Sequence, residues 1–158
     1  MESIVIRNYQ YNDFKSFRNL FYSYFNNDFR IEISMEQAED ICRRIIESTK
    51  KKITSLEIIT KDLVMIGFCI YQVDSTLSDW CEKEGWGCIR EFFIVDDERD
   101  KGYGKKLIMS IESKLKELGA EKCYLTSDEA GSFWIKCGYL DSGENSVGNS
   151  DLIYTKHL

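Results

Sequence analysis

The sequence contains no proline, and its only histidine is His157. With a single imidazole and no C-x-x-C pair among its cysteines, it lacks the closely spaced ligands of a zinc site. The same scarcity argues against a Cys–His nucleophile pair, since His157 falls on a terminal strand. No apolar run approaches the ~18 residues needed to span a membrane, so no membrane partner is expected. Met1-Glu2-Ser3-Ile4 shows no basic region followed by an apolar stretch, so no signal peptide is expected. The reduced cytoplasm is the expected location. Most of the cysteines (Cys42, Cys69, Cys81, Cys88, Cys123 and Cys137) sit in apolar runs and read as small buried hydrophobes. A net charge of −6 argues against broad nucleic-acid binding and is compatible with a cationic substrate.

What is present fits one mixed α/β domain over residues 1–158. Ile4–Arg7 reads as a first strand. Tyr11–Phe25 carries a dense aromatic helical stripe, core in the main and in part a pocket wall, which Asn26-Asn27-Asp28 breaks. Ser34 with Gln37 marks a capping box before a second helix that ends at Lys50-Lys51-Lys52. Leu56–Thr60 and Val64–Tyr71 form an antiparallel hairpin around Lys61-Asp62-Leu63. The polar stretch Asp74–Gly87 holds Trp80 and Trp86, whose rings must bury somewhere, so it should fold over the body or over a site. The strand Cys88–Val95, the helix Leu107–Leu118 and the strand Cys123–Thr126 read as a strand–helix–strand unit with parallel pairing. Ala130–Lys136 is a short helix, 141–150 a loop, and Leu152–Thr155 a last strand, with one optional further strand between that helix and the last strand.

Between the strand and the long helix lies Arg99-Asp100-Lys101-Gly102-Tyr103-Gly104-Lys105-Lys106. Helix-start amides lack intrahelical partners and carry the positive end of the dipole, so this basic glycine turn suits an anion. Read alone, the turn fits a phosphate-binding loop and a solvated basic helix start equally well. A P-loop does not fit, because Arg99 stands where a glycine is needed and no Ser or Thr follows Lys105. A dinucleotide fingerprint fails for want of a third glycine and of an acidic strand end about 20 residues on.

The run Val95–Gly104 resembles the acetyl-CoA signature of the GNAT family of N-acetyltransferases, and Ala130-Gly131-Ser132-Phe133-Trp134-Ile135-Lys136-Cys137-Gly138-Tyr139 resembles that family's second signature. The element order agrees over nearly the whole chain. The resemblance implies a GNAT-like acyl-CoA N-acyltransferase fold: a mostly antiparallel sheet, splayed at a parallel strand pair and flanked by helices. It implies acetyl-CoA as co-substrate, with no metal. The amides of Lys101 to Lys105 would hold the pyrophosphate, with glycine at 102 and 104 removing a Cβ that would block the approach. Arg99 and Asp100 flank that turn. Phe93, Ile94 and Val95 would offer backbone groups to the pantetheine from a bulged strand, and a bulge N–H would polarise the thioester carbonyl. Ser127, Ser132 and Trp134 fall at further cofactor positions; Ser127 stands where an asparagine is frequent.

Acetyl transfer needs a neutral amine, so a base is useful at neutral pH. Glu91 shares a strand face with Phe93 and Val95 and is the expected base; the alternative is a carboxylate paired with Arg90 or a lysine on the sheet surface. Glu82, Glu84 and Trp86 are expected on the acceptor side. Trp134 replaces the family's tyrosine acid, and an indole N–H has no proton to give at neutral pH. The expected function is therefore acetyl-CoA-dependent acetylation of a primary amine on a small molecule or an exposed amino group. The alternative is a degenerate acyl-CoA-binding module. A toxin acetylating charged tRNA is disfavoured by the acidic charge. Dimers are frequent in the resembled family, so a homodimer is a further expectation.

Overall fold

The computed structural model describes residues 2–128 and 131–158. Its strands are β1 (Ile4–Asn8), β2 (Ser55–Lys61), β3 (Val64–Val73), β4 (Gly87–Ile94), β5 (Lys122–Ser127), β6 (Leu140–Asn145) and β7 (Leu152–His157). They form one sheet in the order β1-β2-β3-β4-β5-β7-β6. All neighbours run antiparallel except β4 and β5, which pair in parallel. Helices α1 (Phe14–Ser23) and α2 (Met35–Lys50) cover one face around Phe17, Phe21, Ile58 and Phe68. Helix α3 (Tyr103–Glu117) and the short α4 (Ser132–Lys136) cover the other, around Leu107, Ile111, Leu115 and Tyr139.

Local chemistry explains most of these boundaries. Ser34 Oγ accepts from the Gln37 amide at 3.1 Å, and the Gln37 side chain accepts from the Ser34 amide at 2.8 Å, so the capping box starts α2 as expected. The β2–β3 hairpin turns on Asp62 and Leu63, both at positive φ (50° and 70°), a two-residue turn whose twist matches its strands. Cys42, Cys69, Cys88, Cys123 and Cys137 are buried, and Cys81 is exposed.

Three expectations change. The first helix does not break at Asn26. A 3₁₀ turn at Tyr11–Asp13 leads into α1, and a π turn at Tyr24–Asp28 continues it, with the Phe29 amide donating to Tyr24 O at 3.2 Å. The Asn26 side chain donates to Tyr22 O at 2.8 Å and holds the wide turn in place. Residues 141–150 are not wholly loop, because β6 occupies 140–145. It is an exposed edge strand paired irregularly with β7, so it buries no apolar face and shows no alternation. The last helix begins at Ser132; Ala130, where it was expected to start, lies outside the described residues.

Two irregularities in β4 position the site. Ile70 pairs with Glu91 and Tyr71 with Ile89, so Arg90 is an extra, bulged residue. The parallel ladder to β5 holds only Gly87 to Cys123 and Cys88 to Tyr124. Beyond Cys88, β4 stays with β3 while β5 stays with β7, and the sheet splays.

Candidate active site

The bulge decides which side chains meet. Strict alternation would send Cys88 and Arg90 to one face and Glu91 and Phe93 to the other. The extra residue brings all four to the α1 side. There Phe93 packs on Tyr24 (ring centroids 5.5 Å apart), and the Tyr24 hydroxyl donates to the Glu91 carboxylate in a very short hydrogen bond. Tyr24 comes from the π turn, which sets its ring between Phe68, Phe93 and Phe29. Burial pushes the Glu91 carboxyl above its ordinary value, while the Tyr24 hydrogen bond and the Arg90 charge pull it back down. Burial, then the Glu91 charge, pushes the Tyr24 hydroxyl well above its own ordinary value. The pair therefore has the chemistry of a desolvated carboxylate base held by a hydroxyl that keeps its proton.

Glu91 lines a small cavity of ≈ 90 Å³ with Arg90, Cys88, Trp80, Thr126 and Asn149. Its roof is two latched loops. Glu82 accepts from Ser146 Oγ at 2.8 Å and from the Val147 amide at 2.6 Å. The Trp80 ring lies against Gly148, where a Cβ would come within 2.4 Å of it. Asp74, buried, ties the first loop down by accepting from the Glu82 and Lys83 amides, both at 3.1 Å, and from the Tyr124 hydroxyl.

The acceptor-side residues are thus distributed differently from expectation. Glu82 is committed to the second loop and acts as its latch. Trp86 packs against Tyr124, with Lys83 and Lys122 over its ring, on the flank of β5. Glu84 is exposed outside the cavity. Trp80, Arg90 and Tyr24 also line or support the site: Trp80 was expected to bury over the body or over a site, Tyr24 belongs to the stripe expected in part to wall a pocket, and Arg90 was named only as an alternative partner for Glu91. Trp80 had the signal of a large ring in a polar loop. Tyr24 and Arg90 depended on a π turn and a bulge.

At the other end of the splay stands the glycine turn. Gly102 has φ +86° with open space where a Cβ would project, and no side chain caps the start of α3. Asp100 also has positive φ (61°). Gly104 is small for a different reason: a Cβ there would sit 3.1 Å from both Phe133 and Phe92. Those two rings stack at 5.2 Å, and the Trp134 indole meets both edge-on, so Trp134 is an aromatic packing residue.

Several loop charges are struts. Arg99 donates from Nε to Ile94 O at 2.7 Å and from Nη2 to Asp28 Oδ2 at 2.8 Å, tying the turn to β4 and to the π turn. Lys101 pairs with Glu98 at 3.3 Å. The Tyr103 ring is buried and its hydroxyl donates to Glu2 at 2.8 Å. Lys105 is exposed, beside a second cavity of ≈ 290 Å³ that it shares with Lys136 and Lys156. The Val95 amide donates to Ile66 O at 2.8 Å, so it is already used by β3. By alternation Phe93 also faces β3, and the backbone groups of Phe92 and Ile94 face the splay. Ser127 closes β5 opposite Leu152, and Ser132 opens α4 in an exposed position.

An uncapped helix start, a glycine turn with room at Gly102, nearby lysines and a strand turned toward a gap together fit a phosphate-bearing, extended ligand such as acetyl-CoA. Among the described residues, no group of three or more His, Cys, Asp or Glu could hold a metal ion, and no helix is long and apolar enough to cross a membrane.

Comparisons with known proteins agree with this geometry. A family model described as Acetyltransferase (GNAT) family matches residues 15–139. No curated protein matches in sequence. Among solved structures, the PaiA N-acetyltransferase of Thermoplasma acidophilum, in complex with coenzyme A, is 19% identical, with a TM-score of 0.73 and 99% of each chain covered. A GNAT-family acetyltransferase of Staphylococcus aureus Mu50 is 16% identical, with a TM-score of 0.78 and 99% of each chain covered. One from Brucella melitensis, in complex with acetyl-CoA, is 17% identical at a TM-score of 0.67, covering 99% of this chain and 88% of that one.

Proposed function

The chain belongs to the GNAT family of acetyltransferases, and from that premise we propose that it transfers the acetyl group of acetyl-CoA to a primary amine, with Glu91 as the general base. The observation that carries the reading is the Glu91 carboxylate, raised by burial, held by Tyr24 and lining a small cavity where the sheet splays. The coenzyme A and acetyl-CoA complexes of the Thermoplasma and Brucella proteins support the co-substrate.

In this reading the first turn of α3, from Lys101 to Lys105, binds the pyrophosphate through backbone amides. Phe92 and the Ile94 amide face the pantetheine arm, the part expected of Phe93, Ile94 and Val95; the Ile94 carbonyl already accepts from Arg99. Bound acetyl-CoA supplies an activated thioester. Glu91 takes one proton from the acceptor ammonium, directly or through water. The freed nitrogen forms a bond to the acetyl carbon, and an N–H of the splayed half of β4 stabilises the oxyanion. The C–S bond then breaks, CoA leaves as thiolate, and the acylated nitrogen loses its second proton to solvent. A thiolate of pKa ~8.5 leaves without a strong acid, and solvent protonates it, which accommodates Trp134.

The test follows free thiol on incubation with acetyl-CoA and a panel of primary amines. Turnover is expected, and Glu91→Gln should lower kcat at neutral pH by about 10²–10⁴ with little change in acetyl-CoA affinity. CoA binding, seen as thermal stabilisation, with no turnover of any amine would identify the binding-module alternative instead.

A further inference from the structure

The bulge places a guanidinium in the same cavity as the carboxylate. Arg90 donates from Nη1 to Gln72 Oε1 at 2.9 Å and to Asp79 Oδ1 at 3.2 Å. Its Nε and Nη2 donate to no described residue. Gln72 is itself buried and pinned, donating from Nε2 to Asp74 at 2.8 Å and to Trp80 O at 2.7 Å, so Arg90 is steered from beneath. The Trp80 ring, 5.9 Å from the guanidinium carbon, walls the other side. Asp79 is 86% exposed and sits at the rim, where solvent screens its charge. Arg90 and Glu91 form no ion pair with each other. The cavity is thus lined by one anion and one cation, each with bonding capacity left over from its own hydrogen bonds. At ≈ 90 Å³ it has room for on the order of three waters, a match for a compact head group.

We propose that the acceptor is a small molecule bearing a carboxylate beside its primary amine, of the α-amino acid class, with the amine at Glu91 and the carboxylate at Arg90. This rests on the acetyltransferase reading and narrows its acceptor. A planar guanidinium with two free donors recognises a carboxylate in a bidentate way that an ammonium cannot copy. The same guanidinium repels a second ammonium, so the site disfavours diamines despite the acidic overall charge. Thr126 and Asn149, joined by a 3.0 Å hydrogen bond, line the same cavity and add polar atoms to it.

The experiment compares matched acceptors on the full chain: small α-amino acids, their amides, and the corresponding amines without the carboxylate. Amino acids are expected to show kcat/KM at least tenfold above the amide and the amine. Arg90→Gln should raise KM for the amino acid about tenfold or more and bring the amino acid-to-amine ratio toward one. Arg90→Lys, which keeps the charge without the fork, should fall between. Thermal melting verifies that each variant folds. Equal or faster turnover of amides and amines overturns the proposal while leaving the acetyltransferase reading intact, as does an Arg90→Gln variant that folds and keeps the preference. Absence of turnover with every acceptor, despite CoA binding, overturns both.

Discussion

At the scale of single residues, the site depends on one hydrogen bond between a strand and a π turn. The Tyr24 hydroxyl stabilises the charged form of Glu91 and so lowers its pKa, while burial raises it. Removing the hydroxyl leaves only the Arg90 charge to oppose burial. In Tyr24→Phe the Glu91 pKa is therefore expected to rise and the acidic limb of the kcat/KM profile to move to higher pH, because the base works only when unprotonated. A pH–rate profile measures this; a limb that stays in place or moves down would separate Tyr24 from the base. The same shift has a stability side. A carboxyl with a folded pKa above its unfolded value costs stability at pH above the folded pKa, and the cost fades as pH falls toward the unfolded value. Glu91→Gln carries no charge to bury and retains an acceptor for Tyr24, so it should melt no lower than the parent at neutral pH.

At the scale of elements, the two glycines of the turn have different work. Gly102 allows a left-handed backbone in open space, whereas Gly104 allows two aromatic rings to lie against the start of α3. Gly104→Ala should overpack Phe92 and Phe133 and destabilise by roughly 1–3 kcal/mol, read as a lower Tm together with weaker CoA binding. A variant of unchanged Tm would show that the rings yield freely. These elements also show what a sequence can carry. The capping box, the hairpin and the strand–helix–strand unit were legible because each has a local signature in side-chain chemistry or period. β6 was legible only as an optional strand without bounds, since an exposed edge strand buries nothing. The π turn was not, since Asn26 signals a helix end as readily as a widened turn. The place of Glu91 on the same face as Phe93 was legible from alternation. Trp80 was expected over the body or over a site, but Arg90 beside Glu91 in the cavity was not, because one bulged residue changed which side chains share that face, and periodicity assumes no such insertion.

At the scale of the whole molecule, the splay divides one sheet into two subsheets joined by two residue pairs. The glycine turn and α4 serve the α3 side, the Glu91 cavity opens on the α1 side, and β4 is the partition through which acetyl transfer is proposed to pass. Three separate apolar clusters hold these parts, and the buried sulfurs are shared among them: Cys42 under α1 and α2, Cys69, Cys123 and Cys137 under α3, and Cys88 beneath the tryptophan loop. Cys81 alone faces solvent. Burial also pushes the thiols of Cys42 and Cys123 up to about 12, so they are protonated as well as covered. A maleimide or disulfide reagent should therefore consume one thiol per chain at once and the other five only as their clusters open. Time-resolved mass spectrometry of the labelled peptides turns this distribution into a stopwatch with a separate hand for each cluster. More than one fast-reacting sulfur in native buffer would mean that a cluster breathes open. The same count sets the background of any assay that detects released CoA by its thiol: one equivalent of the protein's own sulfur, present before the first turnover.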